Sequence, residues 1–406
     1  MAWRNLWRNY RRTGITLAAM TLALVVELLY AGLVIGLVNG MEEDATAYEL
    51  GDVQILVDGY LTKPSLYDAV PDDDALIAKL EAEGYRATSR LFAGGLGASG
   101  ELSSGVRFVG IDPVQDAKAL DLHLAIAQGE WLDDASPKGV VVGAGLARTL
   151  ALDLGDEVLV LGQASDGSLA NELFVVRGTL MSVAAGLDRT GVLMTEGSFR
   201  ELMVFPEGAH KVFVRRPPDV PLATATEVIR GIVGEPAAEG GPLTILTWKE
   251  ISPFLAQYID SVSGIIVVLY LIIYMAVAIL ILNAMLMAVF ERIREFGVLK
   301  AIGYGPFQVL GMMLAEGMML AVVATVLGLL CAAPGMWYMT VYGINVGTLG
   351  GMEMAGMTMP PIWHGVYTVK TCATPIAMLF IISFFAVLYP AIKAAWIRPV
   401  EAMHHQ

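Results

Sequence analysis

The chain has 406 residues, of which 56% are hydrophobic and 16% charged, and its mean hydropathy is +0.61; an average soluble protein is roughly 25% charged, so a large part of this one is built for a membrane. Two cysteines, Cys331 and Cys372, exclude a disulfide scaffold and a four-cysteine zinc site, and five histidines without HExxH spacing leave little for a metalloenzyme. A net charge of −14 argues against a nucleic-acid partner, and no lysine follows a glycine, so there is no Walker A phosphate loop.

In chain order, the first apolar stretch runs Ile15 to Val38, broken only by Glu27. It exceeds the 7–15-residue core of a signal peptide and is expected to be an uncleaved signal anchor. Gly32, Gly36 and Gly40 form GxxxGxxxG along it, a spacing that suits close packing against another span, within the chain or across a dimer.

Residues 39 to about 250 have a mixed composition and should fold in water as an α+β domain of one or two lobes. Strands are predicted at Asp52–Val57, Arg86–Phe92, Gly105–Gly110, Gly139–Val142, Glu157–Leu161, Leu173–Thr179, Gly191–Met194, Lys211–Val214 and Thr244–Thr247. Helices are predicted at Asp72–Glu83, Pro113–Leu120, Ala144–Leu150, Glu196–Met203 and Ala223–Val233. Gln163 to Asn171 reads as a polar hairpin loop. Between Trp248 and Asp260 either a helix continues into the second span or Pro253 bends the chain; both readings stand.

The second span covers Val262 to Phe290, the third about Phe307 to Tyr342 with Glu316 inside it, and the fourth about Cys372 to Tyr389. Each reaches or approaches the ~20 residues needed to cross a bilayer. Before the first span, in 291–306 and in the tail, nine Lys/Arg face three Asp/Glu, a net of +6, whereas 39–261 carries −18. The positive-inside rule then places both termini and the 291–306 loop in the cytoplasm and 39–260 outside. The division expected is 1–38 (amphipathic opening and first span), 39–260 (outer domain) and 261–406 (three spans, loops and tail). The fold class is an α-helical membrane protein with four transmembrane helices and a large extracytoplasmic α+β domain between helices one and two.

Acids inside spans are costly and suggest function. For Glu316 a structural hydrogen bond to a neighbouring helix is the favoured reading; Glu27, mid-span, leaves a cavity-facing or proton-sensitive role open. The Met-rich loop 350–361 is read as a flexible segment at the membrane surface rather than a Cu(I) site, since it holds no Cys or His. No metal site is expected, and no Ser-His-Asp, CxxC or GxSxG arrangement occurs.

The most informative segment is Phe290-Glu-Arg-Ile-Arg-Glu-Phe-Gly-Val-Leu-Lys-Ala-Ile-Gly-Tyr-Gly-Pro-Phe. Ile293, Phe296, Lys300 and Ala301 recur at helical spacing, Arg294 adds to its charge, Gly303 and Gly305 break the helix, and Pro306 opens the next. Its order resembles E-R-x-x-E-x-G-x-L-K/R-A-x-G of FtsX-like permeases, the MacB-type class of ABC transporter, through Glu291, Arg292, Glu295, Gly297, Leu299, Lys300, Ala301 and Gly303. Glu316 matches an acid early in the family's third span. The tail Tyr389-Pro-Ala-Ile-Lys-Ala-Ala-Trp-Ile-Arg-Pro-Val-Glu-Ala-Met resembles P-A-x-x-A-x-x-x-x-P-x-E-A-L, with Met403 for the last Leu, and Trp3-Arg-Asn-Leu-Trp-Arg-Asn-Tyr-Arg-Arg resembles the amphipathic opening. Gly129-Glu-Trp-Leu, Gly139-Val-Val-Val-Gly-Ala-Gly-Leu-Ala-Arg-Thr-Leu and Leu154-Gly-Asp-Glu-Val look like the family's periplasmic core domain.

The resemblance implies a coupling helix that docks on a separate ABC ATPase dimer. It implies a second permease, identical or paralogous, and no cofactor in this chain, ATP and magnesium belonging to the ATPase. Val109-Gly-Ile-Asp-Pro and the four-span layout look like the lipoprotein-releasing (Lol) permeases, which implies a lipoprotein cargo passed to a periplasmic carrier. The apolar cavity this needs would be lined by spans one and two at the dimer interface, with Leu29, Leu33, Val262, Ile266 and Leu269 as candidates against a lipid-facing alternative. An exporter of peptides or small amphiphiles, and a transmitter of signals to a periplasmic partner, share the same motifs. The chain is not expected to be an enzyme.

Overall fold

The first long helix, Tyr10–Asp44, ends in a single π-helical turn at Ala45–Leu50, and three more long helices follow: Pro253–Glu291, Pro306–Val341 and Val369–Trp396. All four are long and apolar enough to cross a membrane. The computed structural model describes residues 10–182, 184–234, 242–346, 353–354, 357–358 and 362–396. It divides into two units: residues 1–39, 259–346 and 362–406, which hold most of the long helices, and residues 40–258 with 347–361.

In the helical unit one buried cluster joins Leu24, Leu28 and Ala31 of the first helix, Tyr274 and Ile281 of the second, Met313, Ala321 and Ala324 of the third, and Leu379, Val387 and Ala391 of the fourth. Small residues set the approach distances. A Cβ on Gly328 would meet the Leu24 side chain at 2.7 Å, and one on Gly317 would meet Val387 at 2.5 Å. Pro253 sits at the start of its helix, where a missing N–H costs nothing, and the helix then runs unbroken to Glu291. A separate short helix, Trp248–Ile251, precedes it behind a Thr247–Glu250 capping box, with Ser252 out of helical conformation between the two.

The second unit is an α+β domain around ten strands: β1 (Val53–Val57), β2 (Arg86–Ser99), β3 (Leu102–Ile111), β4 (Ile126–Gly129), β5 (Gly139–Gly143), β6 (Glu157–Gln163), β7 (Leu169–Leu180), β8 (Gly191–Thr195), β9 (Lys211–Arg215) and β10 (Leu243–Thr247). The nine predicted strands are all present. β4 was not predicted, and β2 and β3 are longer than predicted. The polar hairpin is the β6–β7 turn, and the five predicted helices form within a residue or so of their expected ends.

Strand β2 organises the domain because its two halves pair differently along one edge. Arg86–Arg90 pairs with β9, whereas Gly95–Ala98 pairs with β6. The first half completes an antiparallel sheet in the order β10-β1-β9-β2. Helices Asp73–Ala82 and Leu222–Val233 share with it a core of Val53, Ile55, Leu80, Val212, Val214 and Ile229. The second half closes a six-stranded ring, β2-β3-β8-β5-β7-β6, back onto β2. A closed ring has no unpaired edge, and its interior is filled by Phe108, Val142, Val160, Phe174 and Met194. Closure demands a glycine at 95, where a Cβ would lie 2.2 Å from the Leu161 carbonyl oxygen. The boundary between the lobes therefore falls inside one strand.

The motif residues of this domain hold local structure. Asp112 accepts hydrogen bonds from the Val114 and Gln115 amides at 2.8 Å, with Pro113 in the first turn. Gly129 has φ +81°, and a Cβ there would meet the Arg177 carbonyl. The Gly139–Gly143 run is β5, buried along its length.

Candidate functional site

The segment after the second long helix folds as expected into a short helix, Ile293–Ala301. Its end is a Schellman turn. The Gly303 amide donates to the Lys300 carbonyl and the Tyr304 amide to the Leu299 carbonyl, each at 3.0 Å, with Gly303 at φ +107°. Gly305 and Pro306 then start the third long helix, where Gln308 accepts from the Gly305 amide at 2.9 Å.

One face of this helix is locked onto the bundle. Phe296 is fully buried in the four-helix cluster, Gly297 is buried beside it, and Leu299 packs against the same core. Arg292 spans two helices: it pairs with Glu295 at 3.1 Å one turn on and with Glu316 of the third long helix at 3.0 Å. Its guanidinium also lies 5.4 Å from the Phe296 ring centroid. Lys300 donates to the Ala395 carbonyl, near the C-terminus of the fourth long helix, where the helix dipole favours a cation. Burial holds the Lys300 ammonium below its ordinary range. The sequence motif therefore ties the short helix to the third and fourth long helices at once.

The opposite face is open. Glu291, Arg294, Val298 and Ala301 are exposed along it. Ile302 is 75% exposed and Phe307 76%. These last two were missed as site residues, though two large apolar side chains flanking a Gly-x-Gly break were a readable signal. An exposed apolar patch rimmed by charge marks a contact with a protein or with the membrane.

The other predicted residues scatter. Gly32 and Gly36 are close-packing positions, but against extended chain rather than a helix. A Cβ on Gly32 would overlap the Tyr367 ring, one on Gly36 would overlap the His364 carbonyl, and the Val366 amide donates to the Gly32 carbonyl at 2.9 Å. A Cβ on Gly40 would meet nothing within 4 Å among the described residues. Leu29, Leu33, Val262, Ile266 and Leu269 are all half-buried. Leu29 rests near Gly335 and Ile266 packs on the helical core, while Ile265, Val268, Ile272, Met275 and Ile279 make the exposed stripe of the second helix. Glu27 is fully buried, and neither carboxylate oxygen has a hydrogen-bond partner among the described residues.

Among the described residues no three His, Cys, Asp or Glu side chains group to hold a metal ion. Of the Met-rich loop only Glu353–Met354 and Met357–Thr358 are described, as a short antiparallel pair. The remainder of that loop, the opening through Asn9 and the tail beyond Trp396 lie outside the described residues.

Comparison with known proteins gives two family matches: the MacB-like periplasmic core domain over residues 13–232 and the FtsX-like permease C-terminal region over 267–399. The lipoprotein-releasing system transmembrane protein LolC of Neisseria meningitidis serogroup B is 22% identical, over 77% of this chain and 75% of that one. LolC of Xylella fastidiosa is 21% identical, over 73% and 72%. The macrolide export ATP-binding/permease protein MacB of Nitrobacter winogradskyi is 32% identical over 30% of this chain, which is 16% of its own length. With both halves of the chain matched, four membrane-length helices and the core domain between the first two, the chain belongs to the MacB-type, FtsX-like family of ABC transporter permeases.

Proposed function

We propose that this chain is the permease subunit of a lipoprotein-releasing ABC transporter, with a separate ATPase dimer docked on the Ile293–Ala301 helix and a second permease beside it. The observation that carries the reading is the two-sided short helix. One face is locked by Phe296, Arg292 and Lys300, and the other offers Val298, Ile302 and Phe307 to a partner. A push on the open face has no slack to absorb it and passes into the third and fourth long helices.

In this reading both termini and the short helix lie in the cytoplasm, and the α+β domain lies in the periplasm of a cell whose inner membrane the chain spans. ATP and magnesium are bound by the ATPase, and this chain contributes no catalytic group. Work is needed because each CH2 of a lipid anchor contributes ~0.8 kcal/mol of membrane affinity. Lipoprotein cargo is favoured over a small amphiphile because the LolC relatives align over most of both chains, whereas MacB aligns over a small part of itself.

The test is purification of the tagged chain from native membranes in mild detergent, with mass spectrometry of what is bound. An ABC ATPase together with acylated lipoproteins supports the reading. An ATPase with an outer-membrane duct or a cell-wall hydrolase, and no lipoprotein, replaces it with export or signalling. Recovery of no ATPase sinks the transporter reading.

A further inference from the structure

A cavity of about 520 Å³ opens in the α+β domain between β2, β3, β9 and the turn after β1. Its size is that of a small-molecule site. Tyr60, Leu66, Phe92 and Met203 give it apolar walls, and Arg107 and Lys211 bring two cations to it.

The cavity is built rather than left over. His210 is fully buried and uses both ring nitrogens. The Phe92 amide donates to Nδ1 at 2.9 Å, and Nε2 lies 3.1 Å from the Leu66 carbonyl. It thereby staples the turn after β1 onto β2 and sets the two walls. The ring stacks on Phe205 with centroids 4.9 Å apart.

The two cations are incompletely paired. Arg107 gives one NH2 to Glu49 at 3.1 Å, but its Nε is buried without a hydrogen-bond partner among the described residues. The Lys211 ammonium lies 5.8 Å from the Tyr60 ring centroid and 5.4 Å from that of Phe92, and forms no ion pair among the described residues. The Arg107 guanidinium lies 5.9 Å from the same Phe92 centroid, so both charges border one ring. Arg107 is opposed by Glu49 and Arg90 by Asp116, and Asp68 acts on the Tyr60 and His210 side of the cavity, so the cation left without an ion pair among the described residues is Lys211. Burial, followed by Arg107, pulls Lys211 down to about 8.

We propose that this cavity binds a small apolar carboxylate, its anionic end held by Lys211 and Arg107 and its body against Tyr60, Leu66, Phe92 and Met203. A carboxylate supplies the ion pair that Lys211 lacks. A phosphate dianion would bring a second negative charge against Glu49, and a neutral amphiphile would leave the ammonium unpaired in an apolar wall. The proposal stands on the α+β domain alone and is independent of the transport reading.

The experiment is calorimetric titration of hexanoate into the full chain in a nonionic detergent, with hexanol and inorganic phosphate as controls, at pH 7. Saturable binding at one hexanoate per chain is expected, with both controls at least tenfold weaker. Lys211→Met should weaken hexanoate at least tenfold and, because it removes a half-buried cation without an ion pair, should melt no lower than the parent. Lys211→Arg should bind within about threefold of the parent. Leu61→Trp, at the rim, should block binding while leaving both cations in place. Affinity should fall between pH 7 and 9.5 as Lys211 deprotonates. The charged and titratable groups facing it are Arg107, Glu49, Arg90, Tyr60 and His210, with Asp68 on the far side of Tyr60 and His210. Equal binding by the Lys211→Met variant, phosphate binding as tight as hexanoate, or no saturable binding at 10 mM hexanoate would each overturn the proposal.

Discussion

Arg292 and Glu316 are joined at 3.0 Å, their side chains 13% and 8% exposed, across a helix break and 24 positions of sequence. The pair sits where the short helix meets the third long helix, with Glu295 and the Phe296 ring on the same guanidinium. Breaking a largely buried pair leaves one charge uncompensated and costs about 3 kcal/mol or more. Arg292→Met, which strands Glu316, should destabilise the chain by that order, and Glu316→Ala by less, because Arg292 keeps Glu295 at 3.1 Å. The double variant should lose less than the two singles together, by 1 kcal/mol or more in a double-mutant cycle read from thermal unfolding in micelles. Strict additivity would show that the pair is not coupled.

Ile302 makes no comparable contact. At 75% exposure, Ile302→Glu should leave stability within about 0.5 kcal/mol of the parent. The same variant should abolish co-purification of the ATPase and its stimulation. Retained association would remove the open face of the short helix from the docking surface.

His210 predicts a pH dependence. Burial is the main cause holding it down at about 4, below the ordinary 6.5, so the unfolded chain binds a proton that the native one refuses. Stability should therefore be intact above 6.5 and fall as pH drops from 6.5 towards 4, by up to about 3 kcal/mol from this group. Chemical unfolding of the chain and of His210→Gln at pH 7 and 4.5 checks the sign. The variant should be weaker at pH 7 and show the smaller acid loss.

Arg90 and Asp116 form a bidentate pair at 2.7 and 3.0 Å in the α+β domain, 2% and 0% exposed, with Arg90 over the Phe213 ring. Asp116→Ala should cost about 3–5 kcal/mol, because the guanidinium stays behind without its partner. Arg90→Met added to it should recover part of that loss, measured by urea unfolding. A loss under 1 kcal/mol in the single variant would contradict the buried geometry.

Gly32 and Gly40 differ although they share one GxxxGxxxG motif. Gly32→Ala puts a methyl into the Tyr367 ring and should cost about 1–3 kcal/mol, relieved in part by Tyr367→Ala. Gly40→Ala meets nothing within 4 Å among the described residues and should be neutral or stabilise by up to about 1 kcal/mol through helix propensity. Thermal melts of the two variants should therefore move apart.

Much of this was legible along the chain. The long helices announce themselves by runs of apolar residues. The strands of the domain announce themselves by β-branched runs between glycines, and Asp112-Pro113 carries its own cap. The Ile293–Ala301 helix carries its stop signal, Gly303, and its start of the next helix, Pro306. What failed to read was β4, whose Ile126–Gly129 has one half-buried and three exposed residues and so lacks any apolar alternation. The Gly32 motif was read as helix packing because spacing reports that a face is small, not what lies on it.

Periodicity, caps, breakers and charge balance act within a few residues, so the sequence by itself determined the four spans, nearly every strand and helix, and the short helix with its family motif. Tertiary structure alone decided that β2 divides its edge between β9 and β6 and closes a barrel, and that Glu316 pairs with Arg292. It alone decided that Tyr367 lies on Gly32 and that Lys211 borders a cavity with Arg107. Each of these is a contact between distant segments, and its free energy depends on burial and distance that no local window contains.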